Sequence, residues 1–170
     1  MRARPPTTGH VALGGFIVIA AAAGFAWLTG EIFVFPSLGP TAFLHFHDPM
    51  RPASSPRNTL GGHAIGILCG ALALWMTGLW NTPFSFYEHT SLLRVLAAAL
   101  SLALTGGLMT WLNLNHPPAC STTLIISLGL MHTPEQMILL MASVIFITYL
   151  AWGFNRLVGI PYPAWAPSKS

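Results

Sequence analysis

Asn113-Leu114-Asn115-His116-Pro117-Pro118-Ala119-Cys120-Ser121-Thr122 interrupts a long apolar stretch, and it decides how that stretch can fold. Proline has no backbone N–H and clashes with the preceding helical turn, so paired prolines are tolerated where a helix starts and not inside one. A helix is therefore expected to open at Pro117 and Pro118 and run to about Met131, with Asn113 to His116 in irregular backbone ahead of it. A second segment has the same design. In Phe35-Pro36-Ser37-Leu38-Gly39-Pro40-Thr41-Ala42, Pro40 is expected to open a short helix to Phe46, after irregular Ser37, Leu38 and Gly39. The two apolar stretches, Ile32 to Phe46 and Pro117 to Met131, reach only about 22 Å as helices at ~1.5 Å per residue.

Around them lie four runs long enough to cross a hydrocarbon core, for which roughly 20 helical residues are needed. They are Val11 to Leu28, Thr59 to Trp80, Leu92 to Leu112 and Gln136 to Phe154. The composition agrees. Of 170 residues 54% are hydrophobic and 6% charged, against about 25% charged in a soluble domain. The mean hydropathy of +0.64 comes from these uncharged runs, the distribution expected of membrane spans. Arg94 is the one charge within them, placed at a helix end where it is expected to snorkel to the interface. Trp27, Trp80, Trp111 and Trp152 fall near run ends, as interfacial belts require. Arg2 and Arg4 before an apolar run imitate a secretory leader, but no small-residue cleavage site and polar mature segment follow. The first run is expected to be a retained span.

Charge placement chooses between crossing and re-entrant short elements. If both cross and the N-terminus is cytoplasmic, Arg2, Arg4, Arg51, Arg57, Arg156 and Lys169 lie inside and only Arg94 outside. If both turn back, Arg51 and Arg57 move outside, a poorer fit to the positive-inside rule. Six crossings are expected. The fold class is then an all-α membrane protein of four long transmembrane helices and two short proline-broken elements. Residues 1–170 form a single transmembrane domain, with halves at about 11–80 and 92–157 joined by the Asn81 to Ser91 loop. Three crossings per half force opposite orientations, the inverted-repeat layout of many secondary transporters.

The chemistry follows from the broken elements. Irregular backbone at membrane depth is tolerated only when buried in protein or facing a watery cavity. Helix N-termini present unpaired N–H groups and a partial positive charge, which suit an anion. The candidate substrate-binding residues are Ser37, Gly39, Thr41, Asn115, His116, Ser121 and Thr122, offering backbone, hydroxyl, amide and imidazole groups, with Arg57 and Asn58 beside them. His116 could also titrate. The competing reading is structural: membrane Ser and Thr often bond their own helix or a neighbour, and a histidine beside prolines can be a cap. Arg57 could equally anchor the chain among lipid head groups. Ser54-Ser55-Pro56-Arg57-Asn58-Thr59 marks a helix start, with Asn58 or Thr59 as cap.

Gly62, Gly66 and Gly70 recur every four residues and admit a closely packed helix, inside the subunit or in a homo-oligomer. His63 on the same helix reads as a buried structural histidine, with pore lining second. His45 and His47 make an H-x-H pair, but Asp48-Pro49 marks a loop there, and no spaced Cys, His and acid set completes a metal site. No metal or other cofactor is expected. Cys69 and Cys120 lie within apolar segments and read as small buried hydrophobes. The net charge of +3 is too dispersed for a nucleic-acid face. No phosphate loop, nucleophile elbow or H-E-x-x-H occurs, so an enzyme is not expected.

Phe35 to Ala42, the Pro56-Arg57-Asn58 to Gly62-His63 stretch and, above all, Asn115-His116-Pro117-Pro118-Ala119 resemble the HPP family of integral membrane proteins, named for its His-Pro-Pro tripeptide. The resemblance covers the chain from about Gly14 to Arg156. It implies four transmembrane helices, and its plant plastid and cyanobacterial members are associated with nitrite transport. Cys120-Ser121 stands where small residues are expected, which implies a differently polar site. Some members carry a C-terminal nucleotide-binding module, which is not expected in a sequence ending at Ser170. The resemblance implies a small inorganic anion, nitrite foremost, as cargo in a lipid bilayer, with a bacterial inner membrane and both termini cytoplasmic. The alternative is a membrane scaffold or assembly protein whose prolines serve helix geometry, with an intramembrane enzyme a third class.

Overall fold

Six α-helices and one short 3-10 turn account for the regular structure of the computed structural model, which describes residues 6–84 and 90–166. The helices are α1 (Thr8–Thr29), α2 (Leu38–His47), α3 (Pro56–Met76), α4 (Leu92–Trp111), α5 (Ala119–Ser127) and α6 (Pro134–Leu157), with the 3-10 turn at Pro52–Ser54. Four of them, α1, α3, α4 and α6, are long and apolar enough to cross a membrane. Their outer surfaces expose Phe16, Trp27, Leu68, Trp75, Trp111 and Ile138. Large apolar side chains at that exposure are costly in water and suited to lipid.

Helix starts follow local chemistry, with adjustments to the expected boundaries. α3 begins at Pro56 because Ser55 accepts from the Asn58 N–H at 3.4 Å and proline suits the first helical position. Asn58 is thereby freed from capping. α2 begins at Leu38, two residues ahead of Pro40. First-turn N–H groups have no intrahelical partner, so a proline there removes nothing. α5 starts after both prolines, and the N–H groups of Ala119, Cys120 and Ser121 turn back to His116, Pro117 and Pro118 at 3.0 Å each. It stops at Ser127, short of Met131, because Gly129 takes φ +82° and its N–H returns to Ile126 O.

Contacts at the helix ends fix the direction of each element. His10 near the start of α1 meets Asn155 near the end of α6, with His10 Nε2 2.8 Å from Asn155 Oδ1. Gly14 lies under the Phe46 ring at the end of α2. Arg57 at the start of α3 donates to Asn113 O beyond α4 at 3.0 Å. These mark one face of the bundle, the near face. At the far face, Arg94 at the start of α4 meets Thr82 O and Ser127 O, and the Phe84 N–H donates to Gly129 O at 3.0 Å. α2 thus ends at the near face and α5 at the far face, so neither short element returns to the face of the bundle from which its segment enters. Arg51, Arg57 and Arg156 gather on the near face and Arg94 on the far one, while Arg2, Arg4, Glu88 and Lys169 lie outside the described residues.

The halves interlock. α2 packs between α1 and α6, and α5 between α4 and α3, so each short helix joins the first helix of its own half to the last of the other. This is the arrangement that an inverted repeat generates. Glycines set the tightest seam: a Cβ on Gly62 would lie 2.7 Å from His116 Cβ, one on Gly66 2.7 Å from Ala119 O, and one on Gly70 2.8 Å from Ile126 Cβ. The Gly62/Gly66/Gly70 face is therefore occupied by α5 within the protomer, the first of the two packings expected of it, and has no room for a helix of a second copy. Arg94 also departs from expectation. It is 6% exposed and turns inward, donating to Thr82 O at 2.6 Å and to Ser127 O at 3.4 Å, because carbonyls left free where α5 ends attract a cation more strongly than the interface does.

Candidate functional site

Thr41, in the first turn of α2, and His116, just ahead of α5, bring the two broken elements together. Thr41 Oγ1 donates back to Ser37 O at 2.8 Å and lies 3.0 Å from His63 Nε2 and 3.2 Å from His116 Nε2. His63 Nδ1 is 2.7 Å from Thr122 Oγ1. His116 Nδ1 donates to Ala53 O at 2.7 Å, with Thr59 Oγ1 3.5 Å away. At ~1.5 Å per residue, His63 sits roughly 10 Å along α3 from the near face, so the meeting point lies inside the bundle. Gly62 makes it possible, since any larger residue would push His116 away.

His45 adds a third ring. Although the Asp48-Pro49 pair suggested a loop, α2 continues through His47, and His45 is fully buried. Its Nδ1 is 2.6 Å from the Tyr162 hydroxyl, which donates to Ser54 O, and its Nε2 is 3.4 Å from Thr148 Oγ1. Thr148 itself donates to Val144 O at 2.6 Å. Asn155 Nδ2 donates to His45 O at 3.1 Å. The His45 and His116 rings stack at 6.5 Å, and those of His63 and His116 tilt together at 4.9 Å. Tyr162 lies beyond α6, and burial pushes its phenol well above the usual range. Among the described residues no set of three His, Cys, Asp or Glu side chains is arranged to hold a metal.

The candidate residues divide into those at this centre and those around it. Ser37, Thr41, His116 and Thr122 are fully buried there. Ser37 stands at the N-cap position of α2, but its side chain makes no capping bond and its Oγ is buried without a hydrogen-bond partner. Gly39 and Ser121 line an open groove of about 440 Å³ over the two helix starts, together with Pro40, Phe43, Leu44, Pro117 and Pro118. Apart from Ser121 these are apolar or backbone groups. Arg57 and Asn58 work at the near-face end instead: Arg57 donates to Asn113 O and to Asn58 Oδ1 at 3.2 Å, and Asn58 Nδ2 donates to Asn115 O at 3.3 Å. Asn113 takes φ 55° in this connection, a left-handed conformation asparagine tolerates better than most residues. Arg57 and Asn58 thus hold the approach to His116, and Asn115 is itself exposed.

The transmembrane region that defines HPP proteins matches residues 2–163. The chain belongs to the HPP family. Neither a curated protein nor a solved structure matches it. Within this HPP protein the His-Pro-Pro tripeptide has a definite local role, since His116 reaches the bundle centre while Pro117 and Pro118 set the turn from which α5 starts. At the far face a cavity of about 430 Å³ leads inward between Glu31, Glu135 and Gln136 toward Pro36 and Ile125. His45, His63 and Tyr162 join the centre although they are not among the residues the sequence pattern singled out for binding. His63 carried a signal, a polar side chain beside the glycines of α3, whereas His45 and Tyr162 meet only through the fold, 117 positions apart.

Proposed function

We propose that this protein moves a small monovalent anion across the membrane, with nitrite the leading cargo, past the point where α2 and α5 begin. The observation that carries this reading is Ser37 Oγ, fully buried and unpartnered at the start of α2, one helical turn from the Thr41–His116 contact. An unsatisfied buried hydroxyl costs about 1–3 kcal/mol, and a donor held at a helix N-terminus is what a partly dehydrated anion requires. Family resemblance supplies nitrite. The Glu31 and Glu135 carboxylates at the far-face cavity have the wrong sign to gather an anion there, so on this reading the anion enters from the near face, where Arg51 and Arg57 lie.

Ser37→Ala separates transport from architecture. On purified protein in liposomes, the substitution is expected to leave thermal stability equal or higher, because it removes an unpaired polar atom, while lowering saturable nitrite uptake at least about tenfold (about 1.4 kcal/mol). Unchanged uptake in this variant would remove Ser37 from the pathway. No uptake of nitrite, nitrate, formate or chloride by the wild type above protein-free vesicles would overturn the proposal. One observation favours the scaffold reading instead: the His45, His63 and His116 rings are wholly buried and bonded within the protein.

A further inference from the structure

We propose that Thr41, His63 and His116 form a proton site that binds one proton for each anion carried, making transport an electroneutral symport; this rests on the anion reading above. The donors fall one short of the contacts. Thr41 Oγ1 contacts Ser37 O, His63 Nε2 and His116 Nε2, and His63 Nδ1 contacts Thr122 Oγ1. These are four contacts. With neutral rings only three protons serve them, one each from Thr41, His63 and Thr122, because the proton of His116 is spent at Nδ1 on Ala53 O. Thr122 donates to His63, His63 donates to Thr41, and Thr41 donates to Ser37 O at 2.8 Å, the shortest of its contacts. His116 Nε2 then faces the Thr41 oxygen at 3.2 Å with no donor between them. One added proton on Nε2 completes the set without moving an atom.

His45 repeats the deficit. Tyr162 gives its proton to Ser54 O and Thr148 gives its own to Val144 O, so a neutral His45 supplies one proton for two contacts. Stacked 6.5 Å apart, the His45 and His116 rings cannot both be charged without a counter-ion, and His45, one turn nearer the near face, is the station from which His116 is loaded. The groups facing His116 are Thr41 and His45 from α2, Thr59 and His63 from α3, and Ala53 O from the 3-10 turn. None is anionic. Arg57 lies at the start of α3, held by Asn113 O. Asp48 ends α2, where Ser54 binds its backbone carbonyl, and Glu31 and Glu135 are at the far-face cavity. The negative charge that stabilises the extra proton must come from the cargo, so proton and anion bind as a neutral pair.

Nitrite uptake into proteoliposomes containing a trapped pH dye, corrected for protein-free vesicles, tests this. In wild type, one proton is expected to enter per nitrite, and an inside-positive potential of ~60 mV, worth about 1.4 kcal/mol per charge, is expected to leave the rate unchanged. His116→Asn, whose amide can still donate to Ala53 O, is expected to lose proton-driven uptake at least about tenfold, and any residual flux to respond to the potential. Thr41→Ser is expected to keep the one-to-one ratio and Thr41→Val to lose it. Wild-type flux that follows the potential or carries no proton overturns the symport while sparing the anion reading, and so does a one-to-one ratio in folded His116→Asn. Absence of any protein-dependent flux overturns both.

Discussion

Gly66→Ala puts the α3–α5 seam, on which the site depends, to a quantitative test. The new Cβ would stand 2.7 Å from Ala119 O, 3.5 Å from Thr122 Cβ and 3.5 Å from Thr123 N. The first of these is closer than real Cβ atoms come, and the obstacle is a backbone carbonyl, which cannot rotate away as a side-chain end can. α5 must therefore move. Overpacking of this kind costs about 1–3 kcal/mol, offset by about 1 kcal/mol for replacing glycine inside a helix. The net loss is up to about 2 kcal/mol, equivalent to roughly 4–8 °C in Tm at this chain length. Gly24→Ala in α1 is the control, since nothing lies within 4 Å of its Cβ, and it is expected to hold or raise Tm. Cys69 in α3 and Cys120 in α5 both sit beside this seam, so a thiol-reactive fluorophore during heating reports its opening directly. Displacing α5 also draws Thr122 from His63, so transport is expected to fall with stability. A Gly66→Ala protein more stable than wild type, gaining as much as the Gly24→Ala control, would refute the tight seam and the positioning of His116 built on it.

Arg94→Ala removes a guanidinium that bonds Thr82 O and Ser127 O. Hydrogen bonds to charged donors are worth about 1.5–3 kcal/mol, so a Tm fall larger than for Gly66→Ala is expected, with Arg94→Lys recovering part of it; an unchanged Tm would return Arg94 to the interface. Direction is checked by single cysteines in a Cys69→Ser, Cys120→Ser background. Met50→Cys and Leu157→Cys are expected to react with an impermeant thiol reagent from one side and Thr90→Cys from the other, and labelling of Met50→Cys together with Thr90→Cys would mean that α2 turns back.

What the sequence made legible was whatever short-range physics determines. Long apolar runs declared α1, α3, α4 and α6, prolines declared the two interruptions, and arginine placement favoured two further crossings. Thr41 and His116 were legible as partners because each stands at a helix start and an inverted repeat must bring those starts together. Residues whose roles depend on distant neighbours were harder to read. Arg94 looked like an interfacial anchor because its real partners, Thr82 O and Ser127 O, are backbone groups that become available only once α5 ends at Ser127. Asp48-Pro49 marked a loop just after His45 and His47, and nothing local announced that Tyr162 would cover His45. The prolines therefore do more than shape helices. By stopping each short element inside the bundle, they leave room for His63 and His116 to meet at Thr41 with His45 stacked beside His116, and a threonine that gives its one proton to Ser37 O while His116 Nε2 faces it without a donor is what makes the centre responsive to an added charge.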